Sequence, residues 1–256
     1  MNPPLSFLFL MDPYQSLNLV TETSLLLMEE LLQRGCRVFW LEQEDIFLNQ
    51  DKPYGRVDEV KTVSPLAKEV VGEVCLNEFS ALLNRLDPPF DGNYLHTGYI
   101  LDHVSDKVVQ FNPSKGVRNF NEKILPLNWP HFVPPSLISQ NFEQLQGFLR
   151  QHREVVVKPL DDCSGRGVIK LAQDEDKWWQ KLNACLTDSQ GKRRFVQAQK
   201  FLPKVKRGDK RVYLVNGDVV GLVNRIPQKG NYLANIHQGA VCQAAELSMR
   251  ERLILK

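Results

Sequence analysis

Lys158 closes a run of three valines, Val155-Val156-Val157, and opens onto Pro159 and the loop Leu160-Asp161-Asp162-Cys163-Ser164-Gly165-Arg166-Gly167. β-Branched residues favour a strand, and proline biases the residue before it toward extended backbone. The ammonium of Lys158 is therefore expected at a strand's edge. A loop with two glycines and a serine offers backbone N–H groups to an anion, and the lysine adds a compact positive charge. That combination suits a phosphate chain. The stretch alone fits an exposed hairpin with a solvated lysine as well. It is not the Walker pattern, because no Gly-Lys-Ser/Thr occurs in it.

Other charged residues have the same two sides. Arg225 ends an apolar run, where an unpaired guanidinium would be costly if buried. Lys123, read without its context, is a solvated helix lysine. The basic run from Lys204 to Arg211 is consistent with a soluble hairpin edge, and Lys192-Arg193-Arg194 with a solvated turn before a strand.

The elements that must position these groups follow from periodicity. Residues 5–11 form a buried strand; Thr21 or Thr23 can cap the amphipathic helix after it, and Arg34-Gly35 ends that helix. Residues 37–41 form a second strand, and strand–helix–strand implies a parallel sheet. Residues 56–63 and 70–76 pair as a hairpin. A strand over 79–85, a helix over 93–104 and a strand over 108–111 make a second α/β unit. A helical piece carries Asn121-Glu122-Lys123, and a Pro- and Trp-rich break follows at 128–135, placing a domain boundary near 120–130. Beyond it come a helix over 142–151, the lysine strand, a helix over 175–186 and a strand over 194–199. Strands over 210–215 and 219–226 are joined by Asn216-Gly217-Asp218, a strong hairpin signal. Residues 245–255 have helical spacing with neither cap nor stop, so the chain is expected to end inside an element.

The 256 residues, 43% of them hydrophobic, suffice for one large or two modest domains. A net charge of +2 gives no electrostatic case for nucleic acid or an anionic membrane. The apolar run at the start is too short for a signal peptide, and no stretch approaches the ~20 apolar residues that span a bilayer. Five dispersed cysteines without a Cys-x-x-Cys argue for a reducing cytoplasm, and neither they nor the five histidines suggest a metal site.

Several spaced motifs then align with one family. They are Met11-Asp12-Pro13, Asp87-Pro88-Pro89-Phe90-Asp91, Tyr99-Ile100-Leu101, Asn112-Pro113 and Arg118 with Asn121-Glu122-Lys123. They continue with Val157-Lys158-Pro159-Leu160-Asp161, Gln199-Lys200-Phe201-Leu202-Pro203, Gly208-Asp209-Lys210-Arg211 and Arg225-Ile226-Pro227-Gln228. In this order and spacing the chain resembles bacterial glutathione synthetase, of the ATP-grasp superfamily.

The resemblance implies an α/β, in part α+β, architecture. An N-terminal parallel-sheet substrate domain over 1–121 is followed by an ATP-grasp fold, with a small lid subdomain over 122–200 and the start of a C-terminal subdomain over 201–256. It implies a cytoplasmic, commonly tetrameric ligase that joins γ-glutamylcysteine to glycine through an acyl phosphate, giving glutathione, ADP and phosphate. Lys123 and Lys158 would flank the phosphates of ATP, with Ser164, Gly165, Arg166 and Gly167 closing over them. Gln199, Lys200, Phe201 and Leu202 would hold adenine, their backbone groups reading the base edge. Asp209 would meet the ribose and Arg211 the phosphates. Arg225, with Arg211 and Lys158, would serve the transferring phosphoryl group, and Asp12, Arg85, Asn235 and Gly239 the other substrates.

There are departures from the family pattern. The family loop usually reads Asp-Gly-Met-Gly-Gly; here Asp162, Cys163 and Ser164 stand for Gly, Met and Gly, and Arg166 for a small residue. Leu86 follows Arg85 where Arg-Lys is usual, and Tyr232 and His237 stand where small or charged residues are usual. The family's Mg²⁺ (or Mn²⁺) ligands, an acidic residue and a Glu-x-Asn, are expected beyond Lys256, so no metal ligand is assigned in the chain. The resemblance therefore leaves two further possibilities: a related ATP-grasp ligase with another acceptor, or a nucleotide-binding remnant without metal ligands.

Overall fold

The computed structural model describes residues 3–188 and 190–255, and the side chain of His237 lies outside the description. The chain divides into two compact units, Met1–Asn121 and Glu122–Lys256.

The first unit is built on β1 (Ser6–Met11), α1 (Thr23–Gln33) and β2 (Arg37–Glu42). It continues with β3 (Ile46–Asn49), β4 (Lys52–Val63), β5 (Leu66–Cys75), β6 (Ala81–Asn84), α2 (Gly92–Leu101), β7 (Val109–Phe111) and α3 (Ser114–Asn119). The strand order is β3-β4-β2-β1-β6-β7, with β5 paired to β4. β2, β1, β6 and β7 run parallel, and β3, β4 and β5 extend the sheet antiparallel. The sheet is therefore mixed rather than purely parallel, because the 56–63 and 70–76 runs form a hairpin and need no crossover.

β1 shows why the fold buries both faces. Leu8 and Leu10 enter one core cluster, while Phe9 and Met11 enter another on the opposite face. Successive side chains of a strand point to opposite sides, and only a strand covered on both faces reads as a continuous apolar run. α1 supplies Met28 to one cluster and α2 supplies Leu101 to the other. Leu10 is fully buried, so Leu10→Ala is expected to cost about 2–5 kcal/mol. A fall in the urea midpoint at unchanged slope is the measurement that checks it.

The second unit holds β8 (Ser136–Ser139), α4 (Phe142–His152), β9 (Glu154–Pro159), β10 (Ile169–Ala172), α5 (Trp178–Cys185) and β11 (Val196–Lys200). These strands form an antiparallel sheet in the order β10-β9-β11-β8. β12 (Asp209–Val215), β13 (Asp218–Ile226) and β14 (Val241–Ala244) make a second sheet, followed by α6 (Met249–Ile254). Along β9, Val155, Val157 and Pro159 are buried and Val156 and Lys158 are only partly so. The buried valines pack with Leu145 and Leu149 of α4 and Leu182 of α5. Lys158 must then face away from the helices.

Three local expectations need correction. α1 is capped by the Glu22 side chain, which accepts from the Ser24 N–H at 2.8 Å, not by a threonine. Asn121-Glu122-Lys123 is not helical: residues 122–124 form a turn beyond the end of α3. α6 does have a cap: Ser248 and Glu251 form a reciprocal capping box.

Candidate functional site

A cleft of about 880 Å³ opens in the second unit, a size that suits a small organic ligand. One wall is the open face of the β10-β9-β11-β8 sheet with its loop; the other is the β12–β13 hairpin and the segment after it.

Lys158 lies on the first wall. Its Nζ donates to Gln199 Oε1 at 2.9 Å, Gln199 Nε2 donates to Ser136 Oγ at 3.1 Å, and Ser136 Oγ donates to Pro134 O at 2.9 Å. A chain of neutral acceptors thus aims the ammonium. Burial pushes the Lys158 pKa below the ordinary lysine value, the Lys123 charge pushes the same way, and Glu122 opposes them. Two cations in one cleft attract an anion. Lys123 donates to Glu122 Oε1 at 2.9 Å and to Asp162 O at 2.6 Å, with a side chain only 11% exposed. It is not the solvated lysine that its isolated sequence allows.

Asp162, the first departure from the family loop, organises the turn. Its Oδ1 accepts the Cys163 N–H at 2.8 Å and Arg166 Nε at 2.7 Å. Arg166 is therefore turned back on its own loop. Ser164 takes φ +55°, and Gly165 and Gly167 take +83° and +64°. The loop keeps its left-handed path despite the lost glycine, at the cost of about 1–2 kcal/mol for a non-glycine residue. A Cβ at Gly165 would lie 2.9 Å from Asn235 Oδ1, and one at Gly167 2.9 Å from Pro159 Cγ. A side chain at either glycine would force its neighbour to shift.

Gln199, Lys200, Phe201 and Leu202 border the cleft together, as do Asp209, Arg211 and Arg225. The Lys200 N–H is spent on Pro135 O at 2.9 Å and the Phe201 N–H on Glu154 O at 3.0 Å. Those two backbone donors are already engaged within the fold. Phe201 is buried as an apolar wall. Asp209 and Arg225 face each other across β12 and β13. Arg225 Nε and Nη2 donate to the two Asp209 oxygens, each at 2.7 Å, and this fork raises the Arg225 pKa further. Arg211, two residues from Asp209 and hence on the same face, sits with its guanidinium 5.5 Å from the Tyr213 ring centroid.

Asn235 lines the cleft, whereas Gly239 follows the turn at 236–238 and is not among the lining residues. Asp12 and Arg85 belong to the first unit, directly after the neighbouring parallel strands β1 and β6. The carboxyl ends of parallel strands are where open α/β sheets place ligands. Asp12 Oδ2 accepts the Asp87 N–H at 2.8 Å, and Arg85 donates to Ser24 Oγ at 2.8 Å and Thr23 Oγ1 at 3.1 Å.

Gln197 and Tyr232 also line the cleft and were not singled out from the sequence as site residues. Gln197 is buried directly opposite Lys158 and donates to Lys123 O at 3.0 Å. The alternation Gln197-Ala198-Gln199 carried that signal, since it puts both amides on one face.

Among the described residues no three His, Cys, Asp or Glu side chains group as a metal site. Each carboxylate lining the cleft meets a cation: Glu122 Lys123, Asp162 Arg166 and Asp209 Arg225. These residues do not make a cage of hard oxygen ligands for Mg²⁺.

Residues 5–118 match the family model "Prokaryotic glutathione synthetase, N-terminal domain", and residues 122–256 match "Prokaryotic glutathione synthetase, ATP-grasp domain". A glutathione synthetase of Prochlorococcus marinus subsp. pastoris is 29% identical over 251 residues, covering 98% of this chain and 81% of the relative. One of Nitrosomonas europaea is 30% identical over 255 residues, covering 96% and 79%. The crystal structure of D-cycloserine synthetase DcsG superposes with a TM-score of 0.65 over 97% of this chain and 78% of its own, at 16% identity, a likeness of fold.

Proposed function

The chain belongs to the prokaryotic glutathione synthetase family of ATP-dependent carboxylate–amine ligases, and on that premise we propose how its second unit binds and uses the nucleotide. Lys123 and Lys158 hold the phosphates of ATP, and the loop 164–167 covers them. Phe201 and Leu202 form the apolar walls for adenine, beside Gln199 and Lys200. Arg211 and Arg225 balance the charge on the transferring phosphoryl group, and Asp209 both orients Arg225 and accepts ribose hydroxyls. In the first unit Asp12 and Arg85 serve substrate binding, as do Asn235 and Gly239 in the second. In this division residues 122–200 are the lid subdomain, 201–256 belong to the C-terminal subdomain, and the unit before them binds substrate.

The observation that carries the reading is the cleft itself. Two lysines, one pushed below its ordinary pKa and aimed by a neutral amide, face an arginine forked on a carboxylate. A carboxylate becomes an acyl donor only when phosphorylated, and bringing it to ATP sets two anions together. Preorganised cations are what that step requires. The dipeptide carboxylate oxygen attacks the γ-phosphorus and ADP leaves. The glycine amine then attacks the acyl carbon, phosphate leaves, and the amine loses its proton. Mg²⁺ or Mn²⁺ would neutralise nucleotide charge, although the described residues make no cage for it.

No helix of the described residues is long and apolar enough to cross a membrane; a cytoplasmic place and a homotetramer are carried over with the family. Incubating the full protein with ATP, Mg²⁺, γ-glutamylcysteine and glycine is expected to release phosphate and glutathione in equal amounts. No turnover with those substrates would sink the assignment. Turnover with a different amine in preference to glycine would move it to a related ligase.

A further inference from the structure

We infer that Tyr232 is a positioning residue: its hydroxyl latches the phosphate-covering loop to the opposite wall of the cleft. The inference rests on the nucleotide reading given above. β10 is the edge strand of its sheet, and an edge presents N–H and C=O groups without a strand partner. The Lys170 N–H donates to the Tyr232 hydroxyl oxygen at 3.0 Å, and that hydroxyl donates to Val168 O at 3.3 Å. A phenol is both donor and acceptor, so one oxygen occupies both kinds of edge group where the loop re-enters the strand.

The approach of Tyr232 is itself fixed. Asn231 Oδ1 accepts the N–H groups of Tyr232 at 2.7 Å and Leu233 at 3.1 Å. The Tyr232 ring meets Phe201 edge-on, at 6.4 Å between centroids and 89°. Three residues further on, Asn235 lies against Gly165, leaving no space for a Cβ. The segment 231–235 thus touches the loop at both of its ends. Opening the loop to admit or release nucleotide phosphates requires the Tyr232 bonds to break.

Tyr232→Phe removes the hydroxyl and keeps the ring on Phe201. With two neutral hydrogen bonds lost, KM for ATP is expected to rise roughly tenfold while kcat at saturating ATP stays near its original value. Tryptic cleavage after Arg166, inside the loop, should quicken by a similar factor, with ATP restoring protection. Amide exchange at Lys170 should quicken without change at the valines of β9. A variant unchanged in KM, cleavage and exchange overturns the latch. So does exchange raised evenly across the sheet with a lowered Tm, which would make Tyr232 a packing residue. If ATP neither binds nor protects the unaltered protein, the nucleotide reading fails instead, and cleavage and exchange without ATP still decide the latch.

Discussion

Lys158→Met is expected to lower kcat/KM for ATP-dependent ligation by about 10²–10³-fold, as removal of one preorganised charge from a developing anion does. The fold should not suffer. Lys158 is half-buried, and among the described residues its side chain bonds the neutral amide of Gln199. Burial first, then the charge of Lys123, holds its pKa below the ordinary value. An ammonium so placed costs stability, and methionine fills similar space without the charge. The variant's Tm should therefore be unchanged or higher, which separates loss of chemistry from loss of structure.

The same lysine sets a pH dependence. Between its lowered folded pKa and the unfolded value of about 10.4, the unfolded chain carries more protons at this site. Stability of the ligand-free protein thus rises with pH across that window. A bound polyanion favours the ammonium and draws the pKa back up, so ATP binding takes up a proton there. Affinity should weaken as pH rises through the window. Titration calorimetry in buffers of different ionisation enthalpy reads the proton directly, and Lys158→Met should abolish it.

Arg225→Met is the second large effect, and it should hurt both activity and stability. Ligation should fall by about 10²-fold or more. The Arg225 side chain is 13% exposed and that of Asp209 42%. Leaving Asp209 unpaired is therefore expected to cost about 1–2 kcal/mol, less than the 3–5 of a fully buried pair. Asp209→Asn should show a smaller version of both losses. In the double variant the stability losses should fall short of their sum, because the second change removes a group already without its partner. Additive losses in a denaturation double-mutant cycle would mean that the fork contributes nothing.

Much of this could be read along the chain because the controlling forces act over a few residues. The apolar run of β1 announced a strand buried on both faces, and the alternation in β9 turns Lys158 away from the helices. Asn216 and Gly217, at φ +52° and +89°, make the tight turn that their types require. The order of the motifs identified the family. Caps were less legible. Glu22 caps α1 where two threonines stood ready, and Ser248 caps α6 where the spacing alone shows no cap, since which side chain reaches an N–H depends on the path of the incoming backbone.

What only the tertiary structure decided is which residues meet. Ser136 aims Gln199 from 63 positions away, and Tyr232 reaches Lys170 across 62. No local propensity carries such information. The Asp209–Arg225 fork shows the limit most clearly. From the turn, Val215 pairs with Asp218 and Leu214 with Val219, a register that would carry Asp209 to Asn224. A bulge between Tyr213 and Leu214 shifts it by one, and Asp209 meets Arg225. Because strand side chains alternate with a period of two, that single extra residue decides which face of the hairpin carries the guanidinium. The sequence by itself determined the arginine, the aspartate and the turn between them. Packing of the folded hairpin decided that they form one pair on the wall of the cleft.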